Sequence, residues 1–185
     1  MSKVEDLAAV YERHIGAPWQ RTVAGAQRVI VVVYDKELER SFRARKGEFE
    51  QATIRQGHAW MEFDCTAVFA RWMAGDDYRE AYFEEPDDLT LKLEQEFTEH
   101  VASLLREVLR QPAADANAVV AVTGVASLYG FSHVSDLVRA VEGDIRGRLV
   151  VFFPGSKDGD NYRLLDARDG WNYLAFGISL DGVGR

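Results

Sequence analysis

Three uninterrupted apolar runs constrain this chain more than any other feature: VIVVVY at Val29 to Tyr34, AVVAVT at Ala118 to Thr123, and RLVVFF at Arg148 to Phe153. A strand with one solvated face alternates apolar and polar residues. Continuous β-branched runs belong to strands covered on both faces, the signature of a mainly parallel sheet. The segments between the runs have helical spacing. Val4, Leu7, Ala8 and Tyr11 share one face of a helix within residues 1–18, which ends at Gly16-Ala17-Pro18. Residues 36–56 read as one or two charged helices, broken at Gly47. A second strand is expected at Ala59 to Phe63, then a short helix from Thr66 to Met73 with Thr66 as its cap.

The longest helix is expected from about Asp87 to Arg110. Pro86 stands at its entrance, carboxylates fill its first turn, and Leu89, Leu93, Phe97, Val101, Leu104, Leu105 and Val108 form an apolar stripe. Ser132 or Ser135 is expected to cap a helix running through Ala140. Residues 161–166 and 171–178 read as two closing strands around a turn at Asp169-Gly170, and 181–185 as a frayed tail. Strands alternating with helices give an α/β fold: a mainly parallel central sheet flanked by helices, with a C-terminal edge hairpin. At 185 residues, 47% hydrophobic and 28% charged, the chain is expected to form one domain, 1–185, with a substantial core.

Composition also narrows function. The net charge of −8 argues against broad nucleic-acid binding, which depends on neutralising phosphates. The basic stripe Arg40, Arg43, Arg45 and Lys46 lies beside glutamates and reads as a solvated mixed-charge face. One cysteine, Cys65, excludes an internal disulfide and reads as a buried apolar residue. No secretion segment or membrane-length apolar run is visible, so a cytoplasmic location is expected.

An open parallel sheet places ligands beyond its C-terminal strand ends. That directs attention to Asp35, Asp64, Gly124 and the Pro154-Gly155 turn. Asp35 and Asp64 each follow a strand. They either hold a hard cation such as Mg²⁺ beside a phosphate ligand or cap the following helices. No P-loop, dinucleotide fingerprint, zinc-type His/Cys spacing or nucleophile elbow is present. Asp158-Gly159-Asp160-Asn161 fails as a calcium loop because Tyr162 and Arg163 follow it, leaving a polar turn. No cofactor is expected, and no enzymatic activity.

Gly155 and Gly159 permit positive φ and a sharp departure from the sheet, and Pro154 would stop the strand's hydrogen bonding. Tyr129 and Phe131 add aromatic surface near the same sheet edge. Such a loop either grips a partner or ligand or closes the core.

The succession VVAVTGVASLYGFSHVSDLVRAV, RLVVFFPGSKDGDNYRLLD and WNYLAF, within Val119 to Ile178, resembles the C-terminal signature of the BrxB family of bacterial BREX phage-defence systems. The matching positions are Gly124, Leu128, Tyr129, Ser132, Phe153, Pro154, Gly155, Asp158 and Gly159. Ser156-Lys157 departs from the pattern, where a bulkier, often aromatic residue is expected. The resemblance implies an accessory role beside a PglZ-like protein of the alkaline-phosphatase superfamily, a methyltransferase and an ATPase. Gly124, Tyr129 and the loop run Pro154, Gly155, Ser156, Lys157, Asp158 and Gly159 are the partner- or ligand-binding candidates, beside Asp35 and Asp64.

Overall fold

In the computed structural model, which describes residues 2–159, 161–171 and 175–184 (the side chains of 167–171 and 182–184 excepted), all six residues of β1, Val29–Tyr34, are buried. So are all six of β3, Ala118–Thr123. β2, Ala59–Asp64, is the edge strand beside β3 and is only partly covered. β4, Arg148–Asp158, lies between β3 and β1. β7, Phe176–Ser179, pairs with the far side of β1, and β8, Gly182–Gly184, closes that edge. The order is β2-β3-β4-β1-β7-β8, parallel except for the antiparallel β7–β8 pair. The α/β class and mainly parallel sheet are as the apolar runs require.

Alternate residues of the runs feed two cores. Ile30, Val32, Tyr34, Val119, Ala121, Val150 and Phe152 pack beneath α1 (Lys3–Ile15), α2 (Glu39–Arg45) and α3 (Gly47–Arg55). Phe152 meets Tyr11, Phe42 and Phe49 at ring-centroid distances of 6.4, 5.0 and 4.9 Å. Tyr11 is fully buried, and its hydroxyl lies 2.6 Å from Thr53 Oγ1, tying α1 to α3. That bond meets the hydrogen-bonding demand that burial of two hydroxyls creates.

The opposite core holds Val29, Val31, Val33, Val120, Val122, Val151 and Phe153. The chain from β2 to β3 supplies part of its cover: α4 (Val68–Ala74), α5 (Arg79–Glu84), α6 (Leu89–Lys92), a π-turn at Leu93–Phe97, and α7 (Thr98–Arg110). The long helix expected from Asp87 is therefore present, opened by a 3₁₀ turn and interrupted by a π-turn. Its stripe divides: Leu89, Phe97, Val101 and Leu105 are buried, and Leu93, Leu104 and Val108 pack partly covered. α8, Val134–Val141, follows β3 and joins α7.

The return from β4 to β7 uses a hairpin instead of a helix. β5, Asn161–Leu164, folds antiparallel onto residues 155–158 of β4, and β6, Ala167–Trp171, folds onto β5. Tyr162 and Leu164 insert into the second core, with Tyr162 edge-on to Phe153 at 5.8 Å. This arrangement corrects several expectations. Pro154-Gly155 does not end β4. Pro154 pairs with Tyr34 at the end of β1, its carbonyl accepts from Leu165 N at 2.9 Å, and the strand continues to Asp158.

Gly155 serves close approach and not positive φ: a Cβ there would stand 1.9 Å from the Arg163 carbonyl oxygen. Gly159 does turn the chain at φ 58°. The turn between the next two strands lies at Leu165-Asp166, where Leu165 takes φ 57°, and Asp169-Gly170 falls inside β6. The 171–178 segment divides between β6 and β7, and 172–174 lie outside the described residues. The edge hairpin is β7–β8, so 182–184 pair instead of fraying.

Two caps also differ. Thr66 bonds to Asp64, and α4 begins two residues later behind Ala67. His133 stands at the start of α8, while Ser132 Oγ lies 2.7 Å from Thr98 Oγ1. Among the described residues, no helix is long and apolar enough to cross a membrane.

The two hairpin glycines should respond differently to alanine. Gly155→Ala forces β5 off β4 and should cost about 3 kcal/mol or more. Gly159→Ala retains the space around it and should cost only roughly 1 kcal/mol for the left-handed backbone. Urea denaturation of the two variants gives the comparison, and equal losses would refute this account of Gly155.

Candidate functional site

Each C-terminal strand end has a built local structure. Asp35 Oδ1 accepts from Glu37 N at 2.9 Å, capping the 3₁₀ turn that follows β1. Asp64 Oδ1 accepts from Thr66 N at 2.8 Å and from Thr66 Oγ1 at 2.6 Å. Both carboxylates thus act as local caps. The sheet order also keeps them apart: β3 and β4 lie between β2 and β1, and three strand spacings are about 14 Å. One cation cannot join them. Among the described residues, no group of three or more His, Cys, Asp or Glu could hold a metal ion.

Gly124 does meet Asp64. Its φ is +67°, and a Cβ would lie 2.4 Å from Thr66 Oγ1 and 2.6 Å from Asp64 Oδ1. The strand-end crevice at β2 and β3 is therefore filled by Asp64, Thr66 and the Gly124 backbone. Beside it, Glu62 accepts from Thr123 Oγ1 at 2.9 Å and pairs with Lys46. Burial raises the Asp64 carboxyl, but the Thr66 bonds and the Lys46 and Arg43 charges more than reverse this, leaving it below the usual aspartate range. Arg43, Arg45 and Lys46 are each in an ion pair, with Glu39, Glu5 and Glu62. The expected mixed-charge face is what they form. Cys65 is fully buried, and desolvation pushes its thiol up to about 12, leaving it inert as a nucleophile.

The remaining candidates fall elsewhere. Ser156, Asp158 and Gly159 are exposed on the β4–β5 hairpin. Lys157 lays its ammonium 5.7 Å from the Tyr162 ring, over Gly177. Tyr129 is 49% exposed and borders a groove of about 530 Å³. One wall of the groove is Thr90, Leu93, Glu94 and Thr98, and the other is Tyr129 to His133 with Asp136 and Leu164. Phe131, in its lining, stacks on Phe69 at 3.9 Å with the planes 4° apart, and Phe97 meets Phe69 edge-on. The groove is thus backed by a packed aromatic cluster. Residues 129–136 and Leu164, far apart in sequence, meet there.

Sequence reasoning missed the exposed surface of α5 and α6, whose Thr90 joins the groove wall. α5 has no buried residue, Tyr78 is 72% exposed, and Phe83 and Leu91 are each 61% exposed. The signal was legible in DDYREAYFEEPDDLTLKLEQE, residues 76–96, where large apolar side chains punctuate carboxylates and Arg79 and Lys92 are the only cations. Lys92 is spent internally. It pairs with Asp76 and sits 5.6 Å from the rings of Trp72 and Tyr82.

With this geometry in hand, a scan of protein-family models, a search of curated proteins and a search of solved structures each find no match.

Asp64 ionises more readily in the folded chain than in the unfolded one. Its contribution to stability is complete above about pH 4 and lost as pH falls below that range. Asp64→Asn should therefore flatten the acid limb of a melting-temperature profile below about pH 4 and leave its shape near neutrality unchanged. An unchanged acid limb would contradict this role.

Proposed function

We propose that this chain is a non-enzymatic accessory subunit of a BREX-type bacteriophage-defence system, docking onto a PglZ-like partner in a larger restriction and methylation assembly. What carries the docking reading is the exposed apolar and acidic surface of α5 and α6, with Thr90 of α6 in the wall of the Tyr129 groove. Soluble monomers seldom expose contiguous apolar patches unless they bind something there. Aromatic anchors rimmed by charge are the usual composition of such interfaces.

The assembly is suggested by the BrxB-like residues alone. Within that signature, Tyr129 and Ser132 border the groove, and Leu164 from the strand after the Pro154–Gly159 run joins them. The carboxylate excess of residues 76–96 calls for a basic patch on the partner. The strand-end crevice favours no nucleotide or phosphate reading, because its carboxylates and hydroxyls are engaged with one another.

Co-purification with the cognate PglZ-like protein should give a stoichiometric complex. Tyr129→Ala and Phe83→Ala should each weaken it by about tenfold or more. Both side chains are exposed, so unfolding free energies should stay within about 0.5 kcal/mol of the parent. Raised salt should slow association, since an acidic rim acts through screened charge. Repeated failure to co-elute would remove the proposal.

A further inference from the structure

A second cavity opens at the opposite end of the sheet, beneath the C-terminus of α1. It measures about 230 Å³, and its lining includes His14, Pro18, Trp19, Gln27, Arg148 and Phe176. Arg148 is the first residue of β4, Phe176 the first of β7, and Ile30, also in the lining, the second of β1. The Arg148 guanidinium lies 4.7 Å over the Trp19 ring. Trp19 is itself fixed: it stacks on His58 at 3.8 Å, 7° from parallel, and its Nε1 donates to Ile15 O at 3.0 Å.

Arg148 is the unusual group. It is half-buried and, among the described residues, donates to the Gly147 and Gln20 carbonyls, at 3.1 and 3.4 Å. Among the described residues, no carboxylate pairs with it. Placing a cation partly out of water without a counterion is costly. Burial, and then the charge of Arg28, hold this guanidinium below its ordinary value. Arg28 is held more fully than Arg148, its terminal nitrogens donating to three carbonyls, those of Ile145, Arg146 and Arg21. The end of α1 does not repel an anion strongly. Three of its last four carbonyls accept hydrogen bonds: Glu12 O from Gly16 N, His14 O from Ala17 N, and Ile15 O from Trp19 Nε1.

We infer that this cavity binds a small organic monoanion, a carboxylate on a flat apolar body, with Arg148 gripping the carboxylate and Ile30, Pro18 and Phe176 receiving the body. The planar guanidinium fork suits a two-oxygen acceptor, and its stacking on Trp19 holds the fork in place. One cation without a carboxylate partner among the described residues matches a single negative charge. The volume lies below the roughly 300–1,000 Å³ of drug-sized sites, so the ligand is small. The inference is independent of the docking proposal, because no residue is shared between the two surfaces.

The test titrates the nitrogen-15-labelled full chain with benzoate to millimolar concentration. The Trp19 indole N–H, assigned through Trp19→Phe, and the Arg148 Nε–H should shift and saturate. Benzamide, the same shape without the charge, should leave both in place, and this comparison needs no substitution at Arg148. Arg148→Gln should weaken benzoate roughly tenfold to a hundredfold. The assignment is overturned if benzoate produces no saturable shift, if benzamide reproduces it, or if inorganic phosphate binds these groups more tightly than benzoate does.

Discussion

β1 must be covered on both faces, and nearly every other element answers to that demand. Its six residues contact solvent almost nowhere, and Val31 and Val32 point to opposite cores. Each fully buried aliphatic side chain adds about 1.5–3 kcal/mol of transfer free energy, but only if both layers close. Helices α1, α2 and α3 close one layer. On the other, helices suffice over β3 and β4, and the β5–β6 hairpin supplies the rest through Tyr162 and Leu164. The hairpin also solves the connection problem, carrying the chain from β4 over β1 to β7 so that all three strands run parallel.

Seen this way, the glycines and proline after β4 have a different meaning from the one local rules suggest. Pro-Gly after an apolar run reads as a stop. Here Pro154 sits where β1 ends, so its missing N–H removes no bond that β1 could have used beyond Tyr34. Gly155 then lets β5 pass at a distance that no side chain permits. The sequence contains the need for a small residue but not the identity of the strand that crosses it.

Much of the fold was legible because its signals are local and redundant. The β-branched runs, the break at Gly47, the Pro86 entrance and the buried cysteine each follow from side-chain chemistry within a few residues. What escaped was set by partners distant in sequence. The turn falls at Leu165 despite its unfavourable φ, because Leu164 and Tyr162 are held in the core on one side of it. Thr66 could cap a helix by accepting from its first turn, but its hydroxyl donates to the Asp64 carboxylate and α4 starts only after Ala67. The Asp35 and Asp64 pairing failed for a related reason. Each does end a strand, but only the strand order reveals that two other strands separate them.

The same distinction separates the functional surfaces from the interior. In the crevice at β2 and β3, polar groups are matched: Asp64 with Thr66, Glu62 with Thr123 and Lys46. A matched network gains little from a ligand, because every new bond must replace an existing one. Groups with unmet demands lie at the margins of the sheet. Tyr78, Phe83 of α5 and Leu91 of α6 keep apolar area in water, and Arg148 keeps a charge partly out of it without a counterion among the described residues. Covering the apolar area or supplying the counterion would meet each demand. Neither place coincides with the strand-end position that the topology of an open parallel sheet would have selected.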